Sequence, residues 1–150
     1  NWTQDNFYPE SNSVSLLQVA SDPDELLMAV DMLDITNGPS HGIYFDLVFR
    51  DEVMFFDSIQ PGVVLESAGQ VNYQAALDPQ DPGRVIIGIS LVGTQQVDTA
   101  DGPVAYVLFK PKRQGECPIT FENSRVMTSD NGGTTPVTGI SWYGGYASVF

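Results

Sequence analysis

Residues 101–121, DGPVAYVLFKPKRQGECPITF, join two runs of β-forming residues through a short basic segment that includes Gly115. Such a stretch is expected to fold as a hairpin. Strict alternation sets Ala105, Val107 and Phe109 on one face of its first strand and Val104, Tyr106 and Leu108 on the other. Both sets are apolar. An antiparallel strand with one solvated side carries polar residues there, so the second face has to meet another element or a partner.

The rest of the chain repeats this grammar. At 150 residues it has the length of one domain, enough to bury about two-thirds of its unfolded surface. Fourteen glycines and ten prolines, with few stretches of good helix formers, favour an all-β fold rich in turns. Strands are expected over Val14–Val19, Glu25–Ile35, Ile43–Phe49, Val53–Ile59, Val71–Ala76 and Arg84–Val92, and in a last run from Ser141 to Val149. Glu25–Ile35 is long enough for a helix, but its apolar residues form no helical stripe. Turns fall at Ser21–Asp24, Asn37–Ser40, Gln60–Gly62 and Asp78–Gly83, and loops at Gly93–Gly102 and Thr128–Thr138. About nine strands at this spacing describe an antiparallel, jelly-roll-like β-sandwich over residues 14–150. Residues 1–13 read as a polar, partly ordered leader whose Trp2 and Phe7 dock on the body. The chain opens at Asn1 without a signal-like segment, as a mature or excised piece of a larger secreted protein would.

A formal charge of −13 argues against nucleic acid or an anionic membrane surface as a partner. No run reaches the roughly 20 apolar residues of a membrane-inserted helix. Cys117 is the only cysteine and reads as a small buried hydrophobe. His41 is the only histidine and sits in a turn, so nucleophilic triads and Cys/His metal spacings have no support. The acidic pairs Asp22/Asp24, Asp51/Glu52, Asp78/Asp81 and Asp98/Asp101 lie in turns, where Asp is expected on backbone grounds. Asp130-Asn131-Gly132-Gly133 comes nearest to a calcium loop but lacks the EF-hand register. Neither catalysis nor a cofactor is expected.

Surface recognition remains. Ile43, Phe45, Leu47 and Phe49 form one face of their strand and leave Tyr44, Asp46, Val48 and Arg50 outward. Val85, Ile87, Ile89 and Leu91 likewise leave Ile86, Gly88, Ser90 and Val92 outward. If these strands neighbour the Val104–Leu108 strand, Tyr106 and Leu108 complete one flat patch with Asp46 inside it, the composition of an interface. The same face would also serve a homodimer.

Three groups of segments resemble the cohesin family. They are Ile119-Thr120-Phe121 with Asp130-Asn131-Gly132 and Tyr146-Ala147-Ser148-Val149, then Gly42–Arg50 with Ile59-Gln60-Pro61-Gly62, and Pro82–Ile87. Together they span residues 42–149 in the family's order. The resemblance implies a non-catalytic module that binds a dockerin-bearing protein, in an extracellular or cell-surface scaffold, with calcium carried by the partner. It places Asp46 at an acidic contact position of the family, Tyr44 where Asn is frequent, and Gly93 where several members carry an acid. It assigns partner contact to Tyr44, Asp46, Val48, Ile86, Gly88, Ser90, Gly93, Tyr106 and Leu108. In this reading Tyr106 and Leu108 anchor, and Asp46 and Ser90 fix the register. The rival reading is a carbohydrate-binding module stacking sugars on Trp2, Trp142, Tyr143 and Tyr146. A surface-layer or adhesion domain without a soluble partner is a third.

Overall fold

In the stretch Gly42–Val48, Ile43, Phe45 and Leu47 are buried while Tyr44 and Val48 are half-buried, the burial of a strand with one face on a core. The same rhythm recurs along the computed structural model, which describes residues 1–130 and 132–150, with Ser21 described by its backbone alone. The elements are β1 (Trp2–Gln4), β2 (Ser13–Asp22), β3 (Glu25–Ile35), β4 (Gly42–Val48), β5 (Met54–Pro61), α1 (Val63–Glu66), β6 (Val71–Asp78) and β7 (Asp81–Leu91). There follow β8 (Ala100–Pro111), β9 (Gly115–Asp130), β10 (Gly133–Pro136), β11 (Ser141–Tyr143) and β12 (Gly145–Val149).

They form two sheets, one ordered β1-β12-β9-β4-β7-β6 with β10 on β9, the other β11-β2-β3-β8-β5. All pairs are antiparallel except β11 with β2. The expected antiparallel sandwich is present, with short strands beyond the nine expected. Between the sheets, Val14, Leu16, Met28, Val30 and Phe109 from one side meet Ile43, Phe45, Leu47, Ile87 and Ile89 from the other, all at most 1% exposed. Phe45 contacts Phe121 edge-on with ring centres 5.4 Å apart, and Phe49 meets Phe109 at 5.2 Å.

Residues 101–121 are not a hairpin. β8 pairs with β3 and β5, whereas β9 pairs with β12, β4 and β10 in the other sheet. The basic segment between them crosses the end of the sandwich, where the backbone N–H of Lys112 donates to the Val53 carbonyl at 2.7 Å. Turn chemistry specifies a reversal of direction, not which sheet the returning strand enters. Val104, expected outward, is fully buried. Ala105 faces Val30 and Pro103 faces Asp31, so Val104 is the extra residue of a bulge and the alternation slips there.

Two further segments depart from expectation. The loop expected over residues 128–138 is a continuation of β9 returned by β10, with Thr135 opposite Thr128. Asn131, in the candidate calcium turn, lies outside the described residues. The last run is divided at Gly144. β11 lies parallel to β2, and β12 enters the opposite sheet beside β9. A Cβ at Gly144 would run into the Ile119 carbonyl oxygen, so only glycine lets the chain pass between sheets at that point. Trp2 docks as expected, donating its indole N–H to the Leu16 carbonyl at 3.2 Å, while Phe7 is 65% exposed.

Candidate partner-binding face

β4 lies between β9 and β7, with β6 beyond, and the registers line the outward residues into rows. One row runs Arg125, Tyr44, Gly88, Gln74; the next runs Glu122, Asp46, Ile86, Ala76. Ser90 lies between Gly42 and Asn72 at one end, and Val48 between Thr120 and Arg84 at the other.

Tyr44 owes its pose to its neighbours. A Cβ on Gly88 would sit 3.0 Å from the Tyr44 ring, so the missing side chain gives the ring a seat across β7. Arg125 closes the other side, its guanidinium carbon 5.1 Å from the ring centre. The stack walls a shallow trough of about 390 Å³, floored by Ile86, Gly88 and Ala76. Ile86 is 47% exposed in the middle of a sheet, a large aliphatic side chain without cover.

Asp46 is not a free carboxylate. Its Oδ2 accepts from Arg84 Nη1 at 2.7 Å and from Asn123 Nδ2 at 2.9 Å, and the residue is 8% exposed. Arg84 also donates to Glu122 at 2.9 Å and lies 3.8 Å from Asp81. Those hydrogen bonds, first to Glu122 and then to Asp46, raise its guanidinium further above its ordinary range. Asn123 reaches Asp46 because β9 bulges there. Arg125 faces Tyr44 and Glu122 faces Asp46, leaving one extra residue in β9, and Asn123 takes φ +50°. A partner therefore meets an ion network with one cation among three acids rather than a single acceptor.

The structure brings together Tyr44, Asp46, Val48, Ile86, Gly88 and Ser90. Gly93 lies past the end of β7, at φ +82° with open space where a side chain would stand. Tyr106 and Leu108 do not belong to this face. β8 is an inner strand of the opposite sheet, so both point away from the far side of the sandwich. Arg84, Gln74, Glu122, Asn123 and Arg125 were missed as site residues. The alternation that places Ile86 and Gly88 outward already puts Arg84 in the same phase, whereas the β9 residues are hidden from a reading that ends that strand early.

The four rings of a sugar platform are dispersed. Trp142 packs 5.2 Å from Phe121, the Tyr143 hydroxyl donates to Glu10 at 2.7 Å on the far sheet, and Tyr146 stands on the near sheet opposite Thr3.

No protein-family model and no curated protein sequence matches the chain. Solved structures do. The seventh ScaB type I cohesin of Pseudobacteroides cellulosolvens superposes with a TM-score of 0.68 at 14% identity, over 92% of this chain and 91% of that one. A type II cohesin domain from the cellulosome of Acetivibrio cellulolyticus gives 0.68 at 17%, over 89% and 92%. The chain has the cohesin fold. The sixth cohesin of Acetivibrio cellulolyticus scaffoldin B, solved in complex with a mutant Cel5 dockerin, gives 0.64 at 14%, over 94% and 100%. At these identities the fold is what is shared. The cohesin fold accounts for the two sheets and their connections.

Proposed function

We propose that this domain is a non-catalytic recognition module of the cohesin kind that binds a dockerin-type partner through the outward face of β9-β4-β7-β6, in an extracellular or cell-surface assembly. The observation that carries the reading is the exposed Ile86 beside the seated Tyr44, an apolar trough in the middle of a sheet that none of the described residues covers. Central apolar anchors ringed by polar groups are where interfaces concentrate their energy. Arg125, Gln74 and the Arg84 network supply that ring. The module needs no cofactor of its own, since the partner carries the calcium.

Titration calorimetry against a panel of calcium-loaded type I and type II dockerins tests this. Ile86→Asp is expected to abolish binding and Tyr44→Ala to weaken it by about 1–3 kcal/mol. Leu108→Asp, on the opposite sheet, leaves it unchanged. Binding lost in Leu108→Asp and retained in Ile86→Asp would move the site to the other face, and the failure of every dockerin to bind would overturn the reading.

A further inference from the structure

The outer face of the opposite sheet is also apolar. In one row across it stand Leu17, Ala29, Tyr106 and Gln60; in the next stand Ala20, Leu27, Leu108 and Ser58. Ala29 is 6% exposed between its larger neighbours, which makes a low point between Leu17 and Tyr106. Val19, the extra residue of the β2 bulge, is 51% exposed, and Phe55, opposite Lys110, is 39% exposed.

Beside this patch lies a carboxylate without a counter-charge. Asp31 occupies the adjoining row, between Ser15 and Pro103. Among the described residues its carboxylate has neither a cation nor a hydrogen-bond donor. Burial, and then the negative charge of Asp101, raise it above the ordinary carboxyl range. Ser15, directly opposite Asp31 and 4% exposed, buries a hydroxyl oxygen with no partner among the described residues. Lys110, a cation on this face, is held by Asp57 at 3.5 Å, with Glu25 at the strand's end adding further negative charge. Half-buried carboxylates and buried hydroxyls are normally paired, yet among the described residues the Ser15 hydroxyl, itself a donor, does not reach an acceptor, and Asp31 is left without a donor. A second copy of this chain, at a formal charge of −13, is poorly suited to supply it.

We infer that the outer face of β2-β3-β8-β5 is a second docking surface, taken by a segment of another protein that lays apolar side chains over Leu17, Leu27, Tyr106 and Leu108 and places a guanidinium or ammonium group at Asp31. This rests on charge complementarity and burial on this sheet alone, and stands independently of what binds the other face. A single domain with two such faces joins two partners at once.

A random dodecapeptide phage library, selected on the full chain carrying Ile86→Asp so that the first face is disabled, is the probe. Enriched peptides are expected to carry Arg or Lys next to apolar residues. Their synthetic forms should lose about tenfold or more in affinity on Asp31→Asn, lose binding on Leu108→Asp, and keep it on Tyr44→Ala. Thermal melts show that Asp31→Asn is folded, since removing an uncompensated carboxylate does not lower its melting temperature. No enrichment, peptides without cations, or affinity indifferent to Asp31 would each overturn the inference. So would sedimentation showing a dimer that Leu108→Asp dissociates, because the occupant would then be a second copy.

Discussion

Asp46→Ala separates a carboxylate that waits for a partner from one that organises its own sheet. The substitution removes two hydrogen bonds to one carboxylate oxygen, from Arg84 at 2.7 Å and Asn123 at 2.9 Å, at a residue 8% exposed. Each hydrogen bond to a charged group contributes about 1.5–3 kcal/mol. Breaking a buried ion pair costs about 3–5 kcal/mol when the remaining charge is stranded. Here it is not stranded, because Arg84 keeps Glu122 at 2.9 Å. The expected loss is therefore about 2–3 kcal/mol, or about 6–12 °C in Tm for a domain of this size. Arg84→Met should cost more, since it leaves Asp46 buried with Asn123 as its remaining donor. Guanidinium denaturation of the two variants and the double variant measures both losses and their coupling, which should be well above zero with m unchanged. A midpoint for Asp46→Ala equal to that of the parent, with dockerin binding alone impaired, would refute the reasoning and return Asp46 to the role of a free contact group.

Gly144→Ala should destabilise by about 1–3 kcal/mol, because its Cβ meets the Ile119 carbonyl, while Gly133→Ala, with no atom of the described residues nearer than 4.0 Å, should be near neutral in the same denaturation series. Asp31→Asn should raise Tm at pH 7. The sign follows from a folded-state carboxyl above its unfolded value of 3.8, which stabilises the fold at low pH and loses that contribution as pH rises, so the variant's advantage should vanish in melts near pH 3. Cys117 is fully buried and accepts from the Arg50 N–H at 3.2 Å, and burial pushes its thiol up. Thiol labelling should therefore follow global unfolding in denaturant; fast labelling of the native protein would contradict that burial.

Much of the fold was legible because period-two burial is a local property. The phases of Ile43–Phe49 and Val85–Leu91 came out of alternation directly, and β4 and β7 proved to be neighbours as the patch required. What failed was non-local. Nothing in residues 101–121 says that the strand after the basic turn joins the other sheet, and that placement decided whether Tyr106 stands beside Tyr44 or behind it. The slip at Val104 and the bulge at Asn123 are likewise set by partners far along the chain. For the site, alternation places the outward residues of β4 and β7 but carries no sign that Asp46 is engaged, because Asn123 and Arg84 approach it only through tertiary structure.

The division of the last strand at Gly144 also decides how the domain carries load. β1 and β12 are antiparallel, with the Asn1 ammonium donating to the Ser148 carbonyl at 3.0 Å, so tension on the two ends would peel these strands apart bond by bond. Behind them β11 runs parallel to β2, Ser141 beside Ser13 and Tyr143 beside Ser15. Pulled from opposite ends, parallel neighbours slide along their common axis, and their hydrogen bonds are strained together rather than in turn. In single-molecule pulling, the peak force should survive deletion of β1 and fall when half-buried Trp142 or buried Val14, which face each other at the middle of that parallel contact, is cut to Ala.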